Sequence, residues 1–154
     1  MRETIGHLIG DNEIREGDVM ENPNPANINE IVAQYHNGSP QLMSDAVGAA
    51  QDAFPRWAEY TMRDRSEVLH RAAALMDSPQ WRQRLAEAMI EEIGKTAGGA
   101  AGEVEKAVRI LRYQAGLGLH RTDEVFHADQ QGAHMYTTQE PVGVAGLVTP
   151  FNFP

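Results

Sequence analysis

Four stretches of the chain place apolar residues three and four positions apart, and each predicts a helix with one buried stripe. The first runs through Met43, Val47, Ala50 and Phe54. Ser39 before Pro40 gives it an N-cap and a proline at the first helical position, where the missing N–H costs nothing. Pro55 is expected to end or kink it. The second stripe is Val68, Leu69, Ala72, Leu75 and Met76, behind a Thr61–Asp64 pair with capping-box spacing. Ser78-Pro79 repeats the cap-and-proline signal before Trp81, Leu85, Met89 and Ile93. Gly94 then offers a left-handed C-cap. The fourth stripe is Val104, Val108, Leu111 and Ala115, ending in "GLGLH"; the "TAGGAAGE" before it reads as a flexible helix junction.

On either side of these stripes the period changes. Residues 1–38 are rich in turn formers ("GDNEIREGD", "ENPNPANINE", "HNGSP"), with β-prone pieces at "HLI" and at "IVAQY", Ile31 to Tyr35. From His127 onward "AHMYTTQE" alternates, and "VGVAGLV" (Val142 to Val148) is short and apolar, the pattern of a buried strand. The chain is therefore expected to be α/β. An extended entry segment covers 1–38, a helical region 39–119, and strands with a closing turn 127–154.

Composition narrows the function. The 154 residues suit one ordinary domain, and 42% hydrophobic with 23% charged residues is the range of a globular protein. The net charge is −9, and the 13 Lys and Arg are scattered among acids, so a nucleic-acid or membrane-surface partner is not expected. The longest apolar run, "VGVAGLV", is far too short to span a bilayer, and no secretory core opens the sequence. The chain has no cysteine. That removes disulfides, thiolate metal sites and a cysteine nucleophile from these residues, and it fits a cytoplasmic setting.

Most candidate motifs dissolve on inspection. "IGKT" (Ile93 to Thr96) lacks the glycine a phosphate loop needs at position 89, which is Met89, and it follows a helix. Lys95 there reads as a cation favourable to a helix C-terminus. "GLGLHR" has Arg121 where a dinucleotide turn needs its third glycine. His127 and His134, with Asp129 between them, have no motif-grade ligand spacing, and no metal is expected. Glu91, Glu92, Glu103 and Glu105 read as a solvated helix face, with Glu92 the acid best placed for a structural cation.

"EPVGVAGLVTPFNFP" is different. A strand followed by a proline-rich turn accounts for all of it except Asn152, an amide set between Phe151 and Phe153. If buried, that amide needs hydrogen-bond partners or costs about 1–3 kcal/mol. Held at the end of a strand, it would be a neutral N–H donor of the kind that stabilises an oxyanion.

This stretch resembles the strand-and-turn signature of NAD(P)-dependent aldehyde dehydrogenases. The likeness extends along the chain in the family's order: "NPNPAN", then "AVGAAQDAFPRWAEYTMRDRSEVLHRAAALM", "EEIGKT" and "GEVEKAVRILRYQAG". It implies the N-terminal portion of an aldehyde dehydrogenase-like fold, with helices, the first strands and an incomplete Rossmann-like sheet. The family's catalytic cysteine, its glutamate base and the remaining nucleotide-fold units would come later than Pro154. By resemblance, a cysteine thiolate attacks the aldehyde, hydride passes to NAD or NADP, and activated water releases a carboxylic acid. Asn152 would donate to the oxyanion. The backbone at Val148, Thr149, Pro150 and Phe151 would line the cofactor's ribose and nicotinamide side. Phe151 stands where the family more often has Trp.

The strands around His134 to Glu140 resemble an arm used in subunit association, which implies a homo-oligomer. "NPNPANINEIVAQYHNGS" and "EEIGKT" resemble 2,5-dioxopentanoate (α-ketoglutarate semialdehyde) dehydrogenases. The missing cysteine also leaves room for a second expectation, a non-catalytic module that docks on a full-length partner.

Overall fold

The computed structural model describes residues 4–120 and 123–154. The entry segment holds five strands: β1 (Thr4–Ile5), β2 (His7–Ile9), β3 (Asn12–Ile14), β4 (Val19–Asn24) and β5 (Asn27–His36). They form two small sheets, one ordered β1-β5-β4 and the other a β2-β3 hairpin. β4 and β5 are antiparallel, with Val19 opposite His36 and Asn24 opposite Asn27, while β1 runs parallel to β5. The prolines of "ENPNPANINE" are tolerated because β4 is an edge strand whose register shifts on both sides of Pro23. Asn24 Oδ1 accepts the Ala26 N–H at 2.9 Å, closing the turn through its own side chain.

The helices are α1 (Pro40–Glu59), α2 (Met62–Met76), α3 (Pro79–Ile93) and α4 (Ala97–Leu117). Ser39 caps α1 by accepting the Leu42 N–H at 3.1 Å. Pro55 does not end α1, which runs on to Glu59. A proline deletes one ladder bond, and α1 continues around that gap until Tyr60 turns extended. Its buried residue is Leu42, with Met43 and Val47 exposed, because α1 packs on β2 through its first turn.

Thr61 and Asp64 form the complete capping box: Thr61 Oγ1 accepts the Asp64 N–H, and Asp64 Oδ2 accepts the Thr61 N–H, each at 3.2 Å. Thr61→Ala is expected to cost about 1 kcal/mol, read as a lower urea midpoint with an unchanged slope. Ser78 has the N-cap conformation for α3, yet its hydroxyl donates back to Leu75 O at 2.8 Å and caps nothing. Gly94 ends α3 at φ +69°, and a Cβ there would stand 3.2 Å from Pro25 Cγ. The Gly-rich "junction" is instead the first two turns of α4, capped by Thr96 Oγ1 on the Gly99 N–H at 3.3 Å.

The core lies where α2 and α4 cross: Ala73 from one, and Ala100, Val104, Val108 and Ala115 from the other, are buried. Ser66 Oγ, buried between them, donates to Ala115 O at 2.7 Å. Asp77, just past α2, binds Arg82 of α3 and Arg112 of α4 (2.6 Å), tying three helices at one carboxylate. Those two guanidiniums, Arg82 first, hold the Asp77 carboxyl below its usual range. On its other side α3 contacts β4 and β5.

The last part of the chain departs from expectation. β6 (Val125–His127) and β7 (His134–Tyr136) pair as a short antiparallel ribbon, which starts two residues before His127 and stops at Tyr136. "VGVAGLV" is neither a strand nor buried: Val142 is 94%, Leu147 90% and Val148 97% exposed. A strand exists only through a neighbour that takes its N–H and C=O groups, and no described strand lies beside this segment.

Candidate active-site turn

The segment after β7 reaches the site by a defined route. Thr137 closes the ribbon, its N–H donating to Glu124 O at 2.9 Å. Gln139 to Gly143 then forms one wall of a cleft whose other wall is Phe54 and Trp57 of α1 and Met62 of α2. Beyond it the chain turns sharply at Pro150–Phe153, where the Phe153 N–H donates to Pro150 O at 3.2 Å. Phe151 and Asn152 are the two corner residues, and both are exposed.

One side chain anchors this turn to the helical body. The Phe153 ring lies 4.7 Å from Lys95 Nζ and 5.5 Å from Lys106 Nζ. Lys95 gets there because Gly94 reverses the chain and Thr96 restarts it as α4, leaving Lys95 in the link. Its ammonium pairs with the Glu103 carboxylate, so it serves the next helix and not the α3 dipole expected from its position in sequence. Lys106 comes from the third turn of α4.

The structure thus brings Val148, Thr149, Pro150, Phe151 and Asn152 into one exposed stretch ending in a fixed turn. Among the described residues no hydrogen bond engages the Asn152 carboxamide, so both its N–H groups remain available. The buried amide considered from sequence is replaced by an exposed one, and the burial penalty does not arise. The Val148 and Thr149 backbone is also without a partner among the described residues. Exposed, unpaired peptide groups of this kind are free to hydrogen-bond a polar ligand.

Other candidates are left apart. His127 and His134 face each other across the β6–β7 ribbon, and no group of three or more metal-ligating side chains exists among the described residues. Glu92 accepts a weak 3.5 Å bond from Asn22 Nδ2. Arg121 lies outside the described residues. Sequence reading missed Lys106, for which no motif offers a signal, and gave Lys95 the wrong partner.

Residues 13–154 match the model of the family described as "Aldehyde dehydrogenase family". The chain belongs to the aldehyde dehydrogenase family. It is 36% identical over 140 residues to the alpha-ketoglutaric semialdehyde dehydrogenase of Bacillus subtilis, an overlap of 91% of this chain and 28% of that protein. It is 36% identical over 138 residues to the alpha-ketoglutarate semialdehyde dehydrogenase of Haloferax volcanii, covering 90% of this chain and 28% of the relative. Its fold superposes on the crystal structure of an NAD-dependent aldehyde dehydrogenase from Sinorhizobium meliloti with a TM-score of 0.90 and 25% identity. That match covers 99% of this chain and 31% of the other. The chain therefore spans under a third of the length of these relatives. The architecture is a portion of the aldehyde dehydrogenase fold, α/β as expected.

Proposed function

We propose that this chain supplies the oxyanion-stabilising turn and the adjoining cofactor wall of an enzyme that oxidises an aldehyde to a carboxylic acid with NAD or NADP. The observation that carries the reading is Asn152, an unpaired neutral amide at the corner of a turn pinned through Phe153. When a thiolate adds to an aldehyde carbonyl, negative charge collects on the oxygen. A carboxamide N–H stabilises that charge without giving up its proton. The nucleophile comes from residues outside this sequence, which has no cysteine. Val148, Thr149, Pro150 and Phe151 would line the ribose and nicotinamide side of the cofactor, chiefly through their backbone. NAD(P), when bound, accepts the hydride.

The 36% identity to two α-ketoglutarate semialdehyde dehydrogenases supports 2,5-dioxopentanoate as the substrate. Association of subunits is supported by the β6–β7 ribbon, which exposes Val125, Met135 and Tyr136 and is too small to be stable alone.

The test is NADH or NADPH formation, followed by absorbance. The 154-residue chain mixed with 2,5-dioxopentanoate and cofactor is expected to form none. The thiol-bearing enzyme that contains these residues is expected to turn over. Reduced cofactor from the chain alone would remove the external thiol from the mechanism. No reduced cofactor from the thiol-bearing enzyme with any aldehyde would remove the oxidation reading altogether.

A further inference from the structure

Two ammonium groups flank Phe153, and their electrostatic situations differ. Lys95 is spent: its side chain is 19% exposed, that of Glu103 11%, and the two form an ion pair. Lys106 is exposed and has no carboxylate partner among the described residues. Its own helix offers two nearby acids, and each is committed elsewhere, Glu103 to Lys95 and Glu105 to Arg109 at 4.0 Å. In a chain of net charge −9, an uncompensated cation beside the candidate catalytic turn is conspicuous. A cation with no carboxylate partner is available to an anionic ligand.

Distance suits one class of ligand. Lys106 Nζ is 5.5 Å from the Phe153 ring, and Asn152 is the preceding residue. Chain geometry then puts Lys106 Nζ within about 14 Å of the Asn152 Cα. An aldehyde with a carboxylate three or four carbons away spans a comparable gap once a hydrogen bond of about 2.8 Å is added at each end. The Phe153 ring would lie along the carbon chain between the aldehyde and the carboxylate. We propose that Lys106 is a specificity residue that selects aldehydes carrying a carboxylate by pairing with that group. The inference rests on the oxidation reading above and adds the residue that reads the substrate's charge.

The experiment compares succinic semialdehyde with butanal, which has the same carbon count and no charge, in the thiol-bearing enzyme. Wild type, Lys106→Met and Lys106→Arg are assayed for kcat and KM. Lys106→Met is expected to lower kcat/KM for succinic semialdehyde about tenfold, mainly through KM, as loss of one charge-assisted contact does. Butanal should stay within about twofold, and Lys106→Arg should keep most of the wild-type preference. Added salt should erode that preference in wild type and not in Lys106→Met. An equal fall for both aldehydes, or an unchanged ratio, overturns the assignment and leaves the oxidation reading standing. A wild type that oxidises neither aldehyde defeats both.

Discussion

Asn152→Ala is expected to lower kcat by about 10²–10³-fold in the thiol-bearing enzyme, with KM for NAD(P) nearly unchanged. The size follows from where the amide acts. It meets a neutral carbonyl weakly in the ground state and a charged oxygen strongly in the transition state, so its loss falls on kcat. Asn152→Asp should be at least as damaging, since it sets a negative charge against the developing oxyanion. The turn itself should survive both changes, because it is held by the Phe153 N–H on Pro150 O and by the Phe153 ring, not by the amide. Cofactor binding, measured by quenching of protein fluorescence, reports on that survival. A variant that binds NAD normally and turns over at the wild-type rate would take Asn152 out of the mechanism.

How much of this could be read from sequence depended on how far each feature relies on distant partners. The capping box at Thr61 and the C-cap at Gly94 are local, involving residues within a few positions, and both are present as expected. The α4 stripe was legible too, since Val104, Val108 and Ala115 are buried in the core where α4 meets α2. α1 was misread because period alone does not say which face meets a neighbour. Leu42 won burial through β2, far off in sequence. The glycines of "TAGGAAGE" argued for a junction at about 1 kcal/mol each against a helix. What outweighs that cost is the Thr96 cap together with burial of Ala100 against the helical body.

The closing segment shows the same division. Its apolar run was visible, but a strand is a property of two segments, and no described strand lies beside residues 142–148. At the site, Asn152 stood out as a polar residue its surroundings did not require. Lys106 did not stand out at all. Its role depends on Phe153 being folded back over α4, a contact between residues far apart in sequence.

The ion pair beneath that contact carries the largest stability effect. Both Glu103 oxygens are sealed from solvent, and Lys95 is the counter-ion that compensates them. Lys95→Met would leave a buried carboxylate unpaired and is expected to cost about 3–5 kcal/mol, read by urea unfolding. That is a large share of the stability of any single domain. Replacing both partners, Lys95→Met with Glu103→Leu, should recover most of the loss, because the penalty belongs to the stranded charge and not to the missing attraction. Glu103→Leu alone should be milder than Lys95→Met alone, since Lys95 can extend its ammonium to water along the Phe153 face. If the double variant is as unstable as Lys95→Met, the cost lies in packing at the α3–α4 link. If Lys95→Met is neutral, the carboxylate is reached by water and the turn does not depend on this pair.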